Sequence, residues 1–168
     1  ADVFDFQDNV TERVVGAIAP RVERAEISRA MSGPSANTDA YDCYLRGLAC
    51  LAKVSAGGVD EAIDFFGKAG ALDPDFATAH GLAMYCRAVR LGFGPVKDIA
   101  RERSEVGRLW QMVARVGNDD GRALSAAGFA VAYVLRDLSS AKELIDRALE
   151  LNPNLANAWA NSGWINVW

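Results

Sequence analysis

The side chains in this sequence that could support metal binding or catalysis are one histidine and three cysteines. His80 is the only histidine, and Cys43 and Cys50 lie seven residues apart, so they could share one face of a helix. A zinc site needs several closely spaced nitrogen or sulfur ligands, which one histidine without a close thiol pair does not supply. We therefore interpret His80 as a packing or groove residue and the thiols, with that of Cys86, as buried and reduced. The sequence predicts no metal and no cofactor.

Two further motifs are better explained by local structure than by chemistry. Asp119 and Asp120 could form a carboxylate pair for acid–base work, but acidic residues at a helix start also accept hydrogen bonds from free backbone amides. The string Gly92, Phe93, Gly94 is too short for a phosphate loop and lies between helices rather than after a strand. No serine lies in a nucleophile-elbow sequence. We therefore expect no catalytic residues.

Composition argues against several classes of partner. The chain has 168 residues, 51% of them hydrophobic, which fits one globular domain with a sizeable core. Its formal net charge is −4 with both signs interspersed, so no basic surface is predicted for nucleic acid. No apolar run approaches the roughly 20 residues that cross a bilayer. We expect a cytoplasmic location with neither nucleic acid nor membrane as partner.

One spacing occurs three times and predicts the architecture. A small residue is followed by another after seven positions and by a turn-forming residue after five more, which puts the small residues on one helix face and ends the helix. The last two copies are 34 residues apart and the first two 45. We expect the eleven extra residues to lengthen the second helix of that repeat at its N-terminal end, with Pro95 in the first turn. The copies are Ala62, Ala69, Pro74; Gly107, Ala114, Asp119; and Ala141, Ala148, Pro153.

The remaining patterns divide the chain into a helical N-terminal segment and a row of helical hairpins. Residues 1–31 are predicted to form an amphipathic helix that kinks near Pro20, and residues 32–37 a linker. Later helices are predicted to begin at Thr38 or Asp39, at Asp60, and at a Ser140–Glu143 capping box. The repeats are expected to be 38–74, 75–119 with the insertion, 120–153, and an incomplete 154–168.

The final helix is expected to have an unpartnered apolar face. Trp164 and Trp168 lie one turn apart, and Trp159 lies earlier on the same predicted helix. A helical solenoid normally buries such a surface against its next helix. The sequence therefore looks cut from a longer chain, and this end is predicted to be frayed or covered by another molecule.

The residues of these repeats resemble tetratricopeptide repeats. The first copy carries Phe66 between its two alanines, and the last carries Ile145 at the same place. The resemblance implies an all-α fold, a tetratricopeptide-like α-α superhelix of helix-turn-helix repeats in which small residues let neighbouring helices approach closely.

Particular strings are similar to a narrower family. Residues 4–8 and 40–47, with later strings at 151–154 and 158–164, look like the repeat region of bacterial adenylate-cyclase-related and TolB-like regulatory proteins. This resemblance implies a C-terminal repeat region attached to a signalling or regulatory domain. A cyclase active site needs paired aspartates in an α/β domain, and no such pattern occurs in this sequence.

The resemblance also implies a binding groove, because the first helices of such repeats line a concave surface. Chaperone-binding members share a lysine and asparagine clamp for a terminal carboxylate. By this resemblance the corresponding positions hold Gly81 and Tyr85, then Ala160 and Trp164, so the clamp is expected to be missing. The groove candidates are Asp42 and Arg46, then His80, Gly81 and Tyr85, then Asn157, Ala160 and Trp164.

Two functions remain open from the sequence. The first is a non-catalytic module that binds a protein segment or self-associates, within a bacterial cyclase-related signalling protein. The second is an intramolecular domain that regulates an attached cyclase or other N-terminal domain.

Overall fold

All regular secondary structure in the described part of the chain is helical. The computed structural model describes residues 22, 24–28 and 39–166. The prediction of an all-α chain is confirmed. After the short stretch 24–28, the helices are α1 (Ala40–Leu51), α2 (Ala56–Leu72), α3 (Ala77–Gly92), α4 (Ile99–Val116), α5 (Gly121–Ala130) continued by a π-helical turn (Val131–Leu135), α6 (Leu138–Leu151) and α7 (Ala156–Ile165).

Side-chain caps fix where five of these helices begin. In each case the side chain of the residue before the helix accepts a hydrogen bond from the backbone amide three positions on, which satisfies an otherwise free donor. Asp39 is one of them, as predicted. The five caps are Asp39, Ser55, Asp98, Asp120 and Asp137.

Two predicted caps were wrong. Asp60 lies inside α2, and its carboxylate accepts a hydrogen bond from Arg90 of α3 at 3.1 Å. Ser140 does not begin α6 in a capping box with Glu143; its hydroxyl and its amide both donate to the Asp137 cap. Asp137 lies two residues after the π-helical turn, a feature that the hydrophobic pattern does not reveal.

The small residues of α2 and α6 lie in the core, as predicted. Ala62, Ala69, Ala141 and Ala148 have no exposed surface. Because alanine side chains are short, the first helix of each hairpin can approach closely. These two hairpins therefore pack as the repeated spacing predicted.

A glycine on the first helix of each hairpin receives the large residue that lies between the two alanines. A Cβ atom on Gly47 would lie 2.6 Å from the Phe66 ring, and one on Gly128 would lie 2.7 Å from the Ile145 side chain. Since real Cβ atoms do not approach so closely, glycine is the residue that fits at both positions.

The predicted register of α4 was wrong by one residue. Gly107 has no heavy atom within 4 Å of where a Cβ would be, and Ala114 is exposed. Val106 and Val113 are the residues with no exposed surface. The buried positions of α4 are also seven residues apart, but valines occupy them. A pattern of small residues therefore matched the next position along the helix instead.

Asn118, not Asp119, therefore stands in the turn position of the second repeat. It precedes the first residue of α5 by three positions, as the two prolines precede α3 and α7. In this register the third repeat is 35 residues long rather than the predicted 34. It is measured from Gly121, where α5 begins, to Ala156, where α7 begins. The π-helical turn at the end of α5 accommodates one additional residue, because it widens each hydrogen-bonded loop by one position.

The insertion is shared between a loop and α4. Pro95 lies in the loop 93–98, so its predicted place in the first turn of α4 was wrong. α4 is nevertheless the longest helix described, with 18 residues against 14 in α6. Its first turn is held by Glu102, which is 6% exposed and accepts from Arg87 at 3.0 Å and from Arg90. Removing Glu102 would take the carboxylate partner from the partly buried Arg87 and leave Arg90 with Asp60 alone.

Helices α3 and α5 touch backbone to backbone. A Cβ atom on Gly81 would lie 2.7 Å from the carbonyl oxygen and 2.9 Å from the Cα atom of Ala123. At the same interface the Thr78 hydroxyl donates to the Asp120 carboxylate, which also caps α5. The first helices of the second and third repeats are thus fixed to one another directly.

Only a short part of the predicted N-terminal helix falls within the described residues. The Tyr41 hydroxyl donates to the Glu26 carboxylate at 2.5 Å, and Ile27 packs against the core. The predicted kink near Pro20 and the linker 32–37 lie outside the described residues, as does Trp168.

We predict opposite effects of alanine at two helical glycines. Gly81→Ala should lower the free energy of unfolding by about 1–3 kcal/mol, because α3 and α5 must separate to admit a methyl group. Gly107→Ala should raise it by about 0.5–1 kcal/mol, since nothing contacts that position and alanine favours the helix. Urea denaturation of both variants measures the difference. Equal effects at the two positions would contradict the register described for α4.

Candidate functional site

Aromatic side chains on the first helices of the repeats form two groups of ring contacts, and a tryptophan of α7 shares a cavity with the second group. We call this set the aromatic face: Tyr41 and Tyr44; Tyr85, Phe129 and Tyr133; and Trp164. At its first end the rings of Tyr41 and Tyr44 stack 5.7 Å apart on α1. The Tyr44 hydroxyl accepts a hydrogen bond from Arg122 of α5, 78 residues away in sequence. The first and third repeats therefore meet on this face.

Further along, α5 presents two stacked rings to its neighbours. The Phe129 and Tyr133 rings lie 5.8 Å apart at an interplanar angle of 12°, and Tyr85 of α3 packs on Phe129 at 5.1 Å. The π-helical turn contains Tyr133 and is followed by Arg136, whose φ of 65° is left-handed. The Arg136 guanidinium lies 5.8 Å from the Tyr133 ring centre. This places a positive charge beside an apolar surface.

A cavity opens where α5 meets α7. Its volume is about 150 Å³. Trp164 forms part of its wall and is 59% exposed, so a large apolar surface adjoins open solvent. The lining residues are Phe129, Ala132, Tyr133, Arg136, Leu138, Trp164 and Ile165.

Helix α7 is held in this position by a buried amide. Asn161 is 7% exposed, and its Nδ2 donates to the backbone oxygen of Ser125 at 3.2 Å and to its hydroxyl at 3.1 Å. Ala158 is fully buried one turn earlier. These contacts orient the same helix so that Trp164 faces the cavity.

The structure separates the predicted groove residues into three groups. Tyr85 and Trp164 belong to the aromatic face. Asp42 and Arg46 form an i, i+4 ion pair at 2.8 Å on α1. Asn157 and Ala160 are exposed on α7 but do not line the cavity.

The remaining two candidates cannot contact a ligand as the structure stands, so their assignment to the groove was wrong. His80 is 6% exposed; a ring nitrogen, Nε2, lies 3.0 Å from the backbone oxygen of Pro74, and the ring packs against Gly70. Gly81 is buried against Ala123. The packing role that the sequence left open for His80 is the one that the structure shows.

Sequence reasoning missed Tyr44, Arg122, Phe129 and Tyr133. One sequence signal for these residues was available. Phe129 and Tyr133 are spaced i, i+4, and Arg122 lies seven residues before Phe129, so all three share one helix face. The π-helical turn was not foreseen, and Tyr44 was assigned only to an apolar stripe. Their meeting with other repeats depends on tertiary contacts.

A larger cavity of about 350 Å³ lies on the side of the second helices, between α4 and α6. Its lining mixes apolar Trp110 and Leu144 with charged groups, and Arg147 already pairs with Glu150 at 3.0 Å. Because aromatic side chains from different repeats meet on the side of the first helices, we place the functional site at the aromatic face instead.

The three thiols all lie in the core. Cys43, Cys50 and Cys86 are unpaired and between 0% and 3% exposed. Burial raises the pKa of each thiol, and that of Cys86 reaches about 12. Burial also raises the pKa of Tyr85, so its hydroxyl stays protonated on the aromatic face. The predicted burial of the thiols is confirmed.

The described residues form neither a metal site nor a membrane-spanning helix. Among residues 22, 24–28 and 39–166, no three histidine, cysteine or acidic side chains come together as metal ligands. In the same residues none of the helices combines the length and apolarity that crossing a bilayer requires.

The fold is that of a tetratricopeptide domain. The chain is similar to the solved structure of the first TPR of Spaghetti (RPAP3) bound to HSP90 peptide SRMEEVD, with a TM-score of 0.53 and 24% identity. The match covers 77% of this chain and 91% of that one. No family model and no curated protein matches the chain. The predicted all-α, tetratricopeptide-like superhelix is thereby confirmed, and the likeness concerns the fold alone.

We predict that alkaline pH destabilises the protein through Cys86. Its pKa is about 12 in the folded chain and near 9.0 when exposed. The folded protein therefore keeps a proton that the unfolded chain loses. The free energy of unfolding that Cys86 contributes is complete below pH 9 and is lost as pH rises toward 12. The loss should approach about 1 kcal/mol per pH unit. Denaturant unfolding of wild type and Cys86→Ala between pH 8 and 10.5 measures it.

At pH 8 the difference in unfolding free energy between wild type and Cys86→Ala gives the cost of removing the sulfur. Any change in that difference at higher pH reports the ionisation of Cys86. Tyrosine and lysine ionisation is common to both proteins and cancels in the difference. Parallel pH profiles for the two proteins would contradict the assignment.

Proposed function

We propose that this chain is a non-catalytic module that binds a segment of another protein on the aromatic face. The supporting observation is the cavity between α5 and α7, whose wall includes the half-exposed ring of Trp164. Aromatic side chains bury much area with few rotatable bonds, which is why they are frequent at sites that dominate binding energy.

The size of the site supports a particular kind of segment. The cavity of about 150 Å³ is smaller than the roughly 300–1,000 Å³ usual for small-molecule sites, which favours one apolar side chain as an anchor. We therefore expect the partner segment to insert one apolar side chain there.

The mode of binding should differ from capture of a terminal carboxylate. The similar tetratricopeptide structure holds the HSP90 peptide SRMEEVD. In this chain the positions expected for a carboxylate clamp include the buried Gly81 and the aromatic residues Tyr85 and Trp164. These residues suit an internal apolar segment.

The positions of the reactive side chains support a non-catalytic function. His80 packs between α2 and α3, and the three thiols are held protonated in the core. Each of these groups is thus engaged in packing, and Asp120 caps α5 as the sequence suggested.

We further propose that the module is the repeat region of a bacterial cyclase-related signalling protein. The support is the resemblance of residues 4–8, 40–47, 151–154 and 158–164 to such proteins. The rival function is intramolecular control of an attached domain. Adding this chain to the parent's catalytic domain separates the two, because a change in catalytic rate favours intramolecular control.

Two tryptophans on α7 allow a matched test of the aromatic face. Trp164 and Trp159 are 59% and 58% exposed, but Trp159 lies outside the cavity and donates to the backbone oxygen of Pro153. Peptides selected from a random library on the wild-type protein should bind Trp164→Ala about tenfold more weakly, as expected when an interface aromatic is truncated. Trp159→Ala should bind as wild type does. Calorimetry of the same peptides on all three proteins is the measurement, and equal affinity for wild type and Trp164→Ala would refute the assignment.

A further inference from the structure

We propose that the cavity between α4 and α6 is a second binding site, and that its ligand is a small organic molecule with a primary ammonium group and an apolar body. The cavity opens among the second helices, whereas the rings of the aromatic face lie on first helices. Its volume of about 350 Å³ lies within the roughly 300–1,000 Å³ of small-molecule sites and is more than twice that of the cavity beside Trp164. A whole small molecule therefore fits here, where the other cavity fits one side chain.

The cavity exists because α4 and α6 hardly touch one another. The first helices of the same two repeats meet backbone to backbone at Gly81, but the second helices stay apart. Leu124 of α5, which is 3% exposed, forms part of the lining between them. The shape of the cavity is therefore set by how two repeats pack, and not by the position of one loop.

Small residues on α4 leave the side chain of Trp110 open toward solvent. Gly107 and Ala114 lie about one turn before and after this partly buried tryptophan, on its side of the helix. Nothing lies within 4 Å of where a Cβ atom of Gly107 would be, and Ala114 is exposed. The spacing that packs the other two hairpins thus leaves a tryptophan accessible in α4. Indole rings attract ammonium groups more strongly than other aromatic rings do.

Three side-chain oxygens in the lining match the three N–H donors of a primary ammonium group. They belong to the Glu143 carboxylate, the Ser140 hydroxyl and the Asn118 amide. The Ser140 hydroxyl donates its proton to Asp137 at 2.7 Å, which leaves the lone pairs of its oxygen as acceptors. Within the part of the chain that the structure describes, the Glu143 carboxylate makes neither an ion pair nor a hydrogen bond. An ammonium group bound beside it supplies the missing counter-charge.

One cation also lines the cavity, but its charge is already balanced. The Arg147 guanidinium pairs with Glu150 at 3.0 Å and lies 4.0 Å from the Asp119 carboxylate. With a single unpaired carboxylate, the site suits an amine better than an inorganic cation such as Ca²⁺, which takes six to eight oxygen ligands. The apolar body of the ligand packs on the remaining lining, which consists of Trp110, Leu124 and Leu144.

Titration of the full chain with phenethylamine, followed by NMR, tests the site. The signals of the Trp110 indole N–H and of the α6 amides should shift, while those of Trp159 and Trp164 should not. Phenethyl alcohol, which has a neutral hydroxyl in place of the ammonium group, should bind about tenfold more weakly because it loses the attraction to both indole and carboxylate. Glu143→Gln should weaken binding of the amine about threefold and leave that of the alcohol unchanged. Asp64→Asn, which removes an exposed carboxylate of α2, should leave both affinities unchanged.

A second variant separates the indole from the carboxylate. Trp110→Leu keeps the position apolar and should reduce the preference for the amine over the alcohol about threefold, because leucine has no ring to attract the cation. Since Trp110 also packs against the core, its unfolding free energy is measured alongside. The exposed Glu143→Gln substitution does not depend on that packing.

Two results would overturn the inference. Equal affinity of the wild-type chain for the amine and the alcohol means that the cavity does not recognise a cation. Shifts confined to the surroundings of Trp164, or no saturable shift at all, mean that the amine does not enter this cavity. Neither result affects the peptide affinities of Trp164→Ala and Trp159→Ala, so the proposed function is tested separately.

Discussion

The structure depends on the backbone contact between α3 and α5 at Gly81. Elsewhere in the stack, alanines and glycines let the two helices of a hairpin approach, but here two first helices of successive repeats meet with no side chain between them. This contact brings Tyr85 onto Phe129 and lets Arg122 reach Tyr44. A larger residue at position 81 would separate the helices and divide the aromatic face. The constraint that shapes the core therefore also shapes the site.

Much of the fold could be predicted because it follows from local patterns. Buried alanines at a spacing of seven and prolines after the second helices identified two hairpins. The failures have specific causes. In α4 the buried positions at this spacing hold Val106 and Val113. The pattern of small residues therefore matched the adjacent, exposed positions instead. The extra residue of the third repeat is absorbed in a π-helical turn, for which the hydrophobic pattern carries no signal.

The site was less predictable because it is made by contacts between repeats. Tyr85 and Trp164 were expected on the groove, and both line the aromatic face. His80 and Gly81 were expected beside them, but both lie in packing contacts. Positions on the first helix of a repeat alternate between the groove and the neighbouring helix within one turn, so a one-residue uncertainty in register exchanges the two roles. The aromatic residues of α5 became recognisable only once the helices were in place.

The most direct test of the central claim is the distance between Gly81 and Ala123 in solution. Because a Cβ on Gly81 would lie 2.9 Å from the Cα atom of Ala123, the α-protons of the two residues should give a nuclear Overhauser effect in the full chain. We expect that signal together with one between the Tyr85 and Phe129 rings. If the Gly81 α-protons show no contact with α5 and its amide exchanges freely with solvent, the helices do not meet there, and the aromatic face described above does not exist as one surface.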